Sequence, residues 1–260
     1  MRVSVIMAAY GQAEYVAEAI ESVLAQTYAD WQLTVVDDGS PDNVAEIVGE
    51  YARRDSRIRF VATPNRGVSA ARNRAAAESD GEFLLPLDAD DTLEPTYIER
   101  CVAEFARCPE LDVVYSQWRF FGATTTTRDL RPYRDYATQL TENRIFVSAM
   151  FRRDRFMAIG GYDEEMRQGF EDWEFWIRFL NEESRVLMLP DRLFNYRIKP
   201  RSRNATAKTA DASYDIQLYL LAKHKPLYSR YYGSPVSALR YKRKYLSQLH
   251  KRLWRLLRRR

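Results

Sequence analysis

The amino-acid sequence predicts an α/β architecture whose sheet is mostly parallel and covered by helices. Three observations carry this. The apolar runs of the first ninety residues are short and lack polar alternation, helix-period segments separate them, and two of the runs end in clusters of acids. In such a sheet ligands gather outside the carboxyl ends of the strands, so those ends are where function is sought.

Val3–Ala9 is a continuous apolar run and reads as the first strand. Glu14–Ala25 follows with Val16, Ile20, Val23 and Leu24 at helical spacing. Leu33–Val36 is a second buried strand, closed by Asp37-Asp38-Gly39-Ser40, and Asn43–Tyr51 is a helix with a cap expected near Asp42. Ile58–Ala62 is a third strand, Val68–Glu78 an alanine-rich helix, and Phe83–Leu87 a fourth strand ending at Asp88. Beyond it come a helix over Pro95–Ala106, a strand over Asp112–Phe121 and a polar loop holding Thr124–Thr127. Arg131–Ile145 has too weak a period to assign. Phe170–Leu180 is an aromatic-rich helix with Glu171 and Asp172 in its first turn, and Val186–Leu189 and Leu193–Ile198 read as two strands. After Arg201 the chain turns helical and basic. The expected division is an α/β domain over residues 1–205, in two parts at about 1–110 and about 111–205, and a helical extension over 206–260.

Composition narrows the class. With 46% hydrophobic and 29% charged residues the chain is globular, and its 260 residues suffice for a substantial core. No apolar stretch approaches the length of a bilayer span, and the start runs straight into a strand. A cytoplasmic protein is expected, or one held peripherally on the cytoplasmic face of a membrane. Cys101 and Cys108 have no partners at metal-ligand spacing, so free thiols are expected. Ten basic residues and no acid lie between Arg240 and Arg260, which leaves about −6 for the rest of a chain whose formal net charge is +4. Leu246, Leu249, Leu253 and Leu256 share one face of that tail, beside Trp254. A basic amphipathic helix over residues 240–260 suits an anionic membrane surface; packing on the domain is the alternative, and no nucleic-acid partner is expected.

The acids decide the chemistry. Asp88-Ala89-Asp90-Asp91 packs three carboxylates at one strand end, where they repel unless a cation or hydrogen-bond donors compensate. Oxygen-only ligands of this kind favour Mg²⁺ or Mn²⁺, completed by substrate phosphates. Capping the following helix is the plainer explanation, but a cap needs one acid. Asp37-Asp38-Gly39-Ser40 is a good turn by itself, yet at the end of a buried parallel strand an Asp can accept from a base N–H while Tyr10 stacks on the ring. Glu171 and Asp172 suit a helix N-terminus, but Phe170, Trp173, Phe175 and Trp176 around them would desolvate the pair and raise its basicity.

Taken together, Val3–Tyr10, Gln26-Thr27-Tyr28, Val36–Ser40, Asn65-Arg66-Gly67, Ala71-Arg72-Asn73, Leu87–Asp91 and Glu171-Asp172-Trp173-Glu174 resemble the inverting family 2 glycosyltransferases, in order, from Val3 to about Ser202. The resemblance implies a GT-A fold, with residues about 1–110 as the nucleotide-binding part and about 111–205 as the acceptor side, and transfer of a sugar from a nucleotide-diphosphate donor, with a UDP-sugar favoured. It implies that Asp38 reads the base, that Tyr10 stacks on it beside the strand end at Ala8, and that Asn65 and Arg72 help hold the nucleotide. Asp88 would contact the ribose, Asp90 would hold the metal, and Asp91 would lie close by. Asp172 would be the general base, oriented by Glu171 or by Trp173 on the acceptor side. One departure stands out: Lys199 follows Tyr196-Arg197-Ile198 where many relatives have His, so Lys199 and Arg201 are expected to neutralise the leaving diphosphate. No Gln-x-x-Arg-Trp segment occurs, which favours transfer of one sugar over processive synthesis. A glycan or lipid-linked acceptor is the expected partner. The rival readings are a degenerate, non-catalytic nucleotide-sugar scaffold at a membrane surface and a nucleotidyltransferase. Ala8-Ala9-Tyr10-Gly11-Gln12 lacks the basic, glycine-rich loop that the latter would want.

Overall fold

The structure, a computed structural model, describes residues 1–127, 129–167, 169–199 and 210–238. One eight-stranded sheet organises the chain, in the order β3-β2-β1-β4-β7-β6-β8-β5. Strands β1 (Val3–Ala9), β2 (Trp31–Asp37), β3 (Ile58–Ala62) and β4 (Phe83–Pro86) run parallel, as their unalternated apolar sequences require. In β1, Val3, Val5, Ile6 and Met7 are fully buried, which a strand covered on both faces demands. The second half of the sheet is mixed. β7 (Met150–Arg152) joins β4 and β6 (Val113–Gly122) by antiparallel pairs, β8 (Val186–Ile198) runs parallel to β6, and β5 (Thr92–Leu93) closes the edge antiparallel to β8.

Helices cover both faces. α1 (Val16–Leu24), α2 (Val44–Arg54) and α4 (Tyr97–Arg107) lie over one apolar cluster, to which α1 gives Val16, Ala19, Ile20 and Val23. Each valine or isoleucine among them contributes about 1.5–3 kcal/mol when fully buried. α3 (Val68–Ala77), α5 (Tyr136–Thr141), α6 (Arg153–Ala158) and α7 (Glu171–Phe179) contribute to a second cluster on the other face. That cluster also receives Ile216 and Leu220 from α8 (Ala210–Lys223) and Tyr228 from α9 (Lys225–Tyr232).

Four local expectations are revised. Asp42 does not cap α2: Asn43 takes that place without a side-chain bond, and the Asp42 carboxylate instead accepts from the Ala13 N–H at 2.9 Å. The two late strands form one, because a bulge opposite Ser116–Trp118 absorbs the break around Pro190. The unassigned stretch holds α5, whose N-cap Asp135 accepts from the Thr138 N–H at 2.6 Å. β7 escaped the sequence because three residues carry no period. Among the described residues both cysteines are free thiols, with Cys101 buried and its pKa pushed up by that burial. No helix among them is long and apolar enough to cross a membrane. The basic tail, residues 240–260, and the boundary near residue 205 lie outside the described residues.

Candidate active site

A cleft of about 520 Å³ opens at the carboxyl ends of β1, β2 and β4. That is within the usual range for small-molecule sites. Ala8, Tyr10, Asp38, Asn65, Asp88, Asp90 and Lys199 all line it. Tyr10 is half exposed at 51%, an unusual position for a large ring and one that leaves a face free for stacking.

Asp38 is only 3% exposed, and its two oxygens accept from the Arg66 and Gly67 N–H groups, each at 2.8 Å. Gly67 is the N-cap of α3, so Asp38 satisfies the start of that helix from across the sheet. Each oxygen keeps a second lone pair for a ligand. The turn that follows Asp38 needs Gly39, whose φ is +72° and where an added Cβ would lie 3.0 Å from the Asn65 nitrogen.

Arg72 does not line the cleft. It is 1% exposed and bridges two carboxylates from beneath, with Nη2 2.5 Å from Asp88 Oδ1 and Nη1 3.1 Å from Glu171 Oε1. It therefore orients residues of both halves of the site.

The carboxylates of Asp88, Asp90 and Asp91 offer ligand atoms within 4.8 Å of one another. Asp91 is buried, with Oδ1 accepting from the Arg197 N–H at 2.8 Å and Oδ2 lacking any hydrogen-bond partner among the described residues. Burial, then Asp90 and Asp88, hold its pKa well above the ordinary carboxylate range. Such an orphaned buried oxygen beside two other carboxylates fits a hard divalent cation. Lys199 already brings one positive charge, with Nζ 2.5 Å from Asp90 Oδ2 and 3.0 Å from Gln12 Oε1. Arg201 lies outside the described residues.

Glu171 and Asp172 do not line the cleft either; Glu171 is joined to it through Arg72, and an unusual turn places the pair. Phe170 is the one non-glycine residue with positive φ among those described (φ 59°, ψ 20°), directly after Gly169 at φ 113°. The left-handed step sets both acids in the first turn of α7. Asp172 Oδ1 accepts from the Trp173 N–H and Oδ2 from Asn143 Nδ2, both at 2.8 Å. Burial and the Glu171 charge outweigh Arg72 and these bonds, pushing the Asp172 pKa up to about 7. Trp173 is only 5% exposed and donates its Nε1–H to the Gln139 carbonyl at 2.7 Å, so it supports the turn from within the core.

Three residues carry a part that the sequence did not assign: Gln12 and Arg167 line the cleft, and Asn143, outside its lining, bonds Asp172. Arg197 sits within a segment the sequence did single out. It donates Nε–H to the Asp90 carbonyl at 2.7 Å and so ties β8 to the acid turn.

The profile of Glycosyl transferase family 2 matches residues 4–162, more than half of the chain and all of the nucleotide-side strands. The chain belongs to that family. Among curated proteins it is 31% identical over 222 residues to the uncharacterized glycosyltransferase EpsJ of Bacillus subtilis, covering 77% of this chain and 62% of EpsJ. It is 34% identical over 130 residues to a chondroitin synthase of Pasteurella multocida, covering 50% of this chain and 12% of that one. The chain thus spans less than two thirds of either relative. Among solved structures, S. aureus TarS 1-349 in complex with UDP-GlcNAc superposes with a TM-score of 0.72 at 19% identity, over 85% of this chain and 66% of that one. The Pyrobaculum calidifontis mannosyltransferase PcManGT, in complex with GDP-Man and Mn²⁺, gives 0.64 at 20% identity, over 79% and 59%. These likenesses show the GT-A fold, an α/β sheet flanked by helices, in a glycosyltransferase domain of family 2.

Proposed function

We propose that this glycosyltransferase domain moves one sugar from a nucleotide-diphosphate donor, a UDP-sugar by preference, to an acceptor hydroxyl with inversion at the anomeric carbon. The observation that carries the reading is the meeting, through buried Arg72, of a three-carboxylate cluster on one side and a desolvated carboxylate pair on the other. Bound nucleotide sugars in the TarS and PcManGT structures support the donor class.

In this mechanism Tyr10 stacks on the base, Asp38 and Asn65 bind its edge and the ribose side, and Asp88 holds the ribose. Asp90, with Asp88 and Asp91 beside it, would hold Mn²⁺ or Mg²⁺, which when bound supplies positive charge to the diphosphate. Asp172 takes the acceptor proton while the hydroxyl oxygen attacks C1 from the face opposite the diphosphate. The C1–O bond breaks, its electron pair leaves on the diphosphate, and Lys199, joined by Arg201, meets that charge. With a pKa near 7, Asp172 is basic enough to accept the proton, and about half of it is ionised and ready to do so at neutral pH. A glycan or lipid-linked hydroxyl is the acceptor class proposed, with the basic segment 240–260 at an anionic membrane surface.

Thermal unfolding with UDP, dTDP and GDP and their sugars, with and without Mn²⁺, tests the donor site without an acceptor. Stabilisation by one nucleotide that depends on Mn²⁺ and disappears in Asp90→Asn is expected. No shift with any nucleotide would overturn the reading in favour of a non-catalytic scaffold.

A further inference from the structure

Asp172 is reached by a directed chain of amide hydrogen bonds that begins at the backbone. The Arg144 N–H donates to Gln139 Oε1 at 3.4 Å, Gln139 Nε2 donates to Asn143 Oδ1 at 3.0 Å, and Asn143 Nδ2 donates to Asp172 Oδ2 at 2.8 Å. A backbone N–H can only donate, so Gln139 must turn its oxygen toward it and its NH₂ toward Asn143. That in turn leaves Asn143 only one orientation, with its own NH₂ on the carboxylate. Gln139 is fully buried, and its carbonyl holds Trp173, the residue next to Asp172.

The helix carrying Gln139 is itself clamped. Tyr136 donates its O–H to the Ile177 carbonyl of α7 at 2.8 Å. From α9, Tyr228 donates to the Leu140 carbonyl at 2.7 Å and Tyr232 to the Ala137 carbonyl at 2.6 Å. The last amide of the chain is therefore held by main chain and core, although Asn143 itself is exposed on the loop after α5.

We propose that Asn143, oriented by Gln139, is a positioning residue that fixes the Asp172 carboxylate and stabilises its ionised form, leaving Oδ1 to share its remaining lone pair with the acceptor hydroxyl. This rests on Asp172 being the base. The other groups facing Asp172 are Glu171 on its own helix, Arg72 from α3 and Tyr162 from the segment before α7. Glu171 and burial push toward the protonated acid, whereas Arg72, the Trp173 N–H and Asn143 favour the carboxylate. Asn143 is the one of those three that can be changed at an exposed position without opening the core.

The test is to follow the Asp172 carboxyl carbon by NMR in the full chain labelled at aspartate Cγ, assigning its resonance by its loss in Asp172→Asn. Removing a hydrogen bond to the charged form should raise the titration midpoint by about one unit, a tenfold change in the ionisation equilibrium, in Asn143→Ala. Asn143→Asp is nearly isosteric and replaces a donor by a like charge, so it should raise the midpoint further. The acid limb for UDP release to water, from whichever UDP-sugar stabilises the protein, should move with it, and UDP affinity should stay unchanged. A side chain that merely holds its loop would lower Tm and leave the midpoint where it is. Wild-type midpoints in both variants would overturn the proposal. Full turnover by Asp172→Asn would instead overturn the reading of Asp172 as base, and the carbon titration separates the two failures.

Discussion

Arg72→Met is the substitution that bears hardest on how this site is held together. The guanidinium touches two carboxylates of unequal standing: the Glu171 side chain is 8% exposed, the Asp88 side chain 31%, and that of Arg72 only 2%. Once Arg72 is gone, Asp88 can turn to water, and Glu171 loses its buried cation. Uncompensating one partner of a buried pair costs about 3–5 kcal/mol. In a domain of this size each kcal/mol moves Tm by roughly 2–4 °C, so a fall of about 10 °C is expected by calorimetry at neutral pH. Glu171→Gln placed in the same chain removes the carboxylate that Arg72 had neutralised and should recover part of the fall. The ion-pair reasoning is refuted if Arg72→Met unfolds within about 3 °C of the wild type, or if adding Glu171→Gln lowers Tm further.

Two more stability effects follow from the acids of α7, with opposite signs. The folded-state pKa of Asp172, near 7, lies above the unfolded one, so this carboxyl destabilises the fold increasingly as pH rises from about 4 through 7. Asp172→Asn should therefore raise Tm most at about pH 8, by roughly a third as much at about pH 5 and hardly at about pH 3; an equal change at all three would contradict the burial account. Glu174 is the reverse case. Burial opposes its charge, but hydrogen bonds from His224, Arg178 and Lys223 hold its pKa down to about 2. Its contribution is complete above the unfolded value near 4.5 and is lost as pH falls toward 2. Glu174→Gln should cost about 2–3 kcal/mol in denaturant titrations at neutral pH, roughly 40% of that at about pH 3, and little below about pH 2.

The nucleotide half was legible because its physics is local. A strand covered on both faces must be apolar throughout, and the acids gathered at its end outnumber what a turn or a cap requires, so β1 to β4 and the turns at Asp38 and Asp88–Asp91 stand out. The other half depends on pairing between distant segments. β7 is three residues long and recognisable only by the strands beside it, and α5 is six residues with an aspartate cap as its one local mark. Arg72 could be seen as important, but not that it faces inward, because a charged residue in an alanine-rich helix looks solvent-facing until its two partners arrive from β4 and α7. Asn143 carried no signal at all: an asparagine in a polar loop acquires meaning from the helix 29 residues later that it touches.

The C-terminal helices have a consequence in time as well as in space. Glu174 on α7 is gripped by Lys223 and His224, Tyr219 and Lys223 reach Asp163, and the tyrosines of α9 hold α5. The four parallel strands are complete by Pro86 and can form while the remainder is still on the ribosome. The cleft waits for Arg197 and Lys199, and α5, which leads to Asn143 and so to Asp172, is gripped only after residue 232 has emerged. A nascent chain can thus lay down its nucleotide-side sheet well before the site is whole, and the last helices serve as the latch that ends this interval.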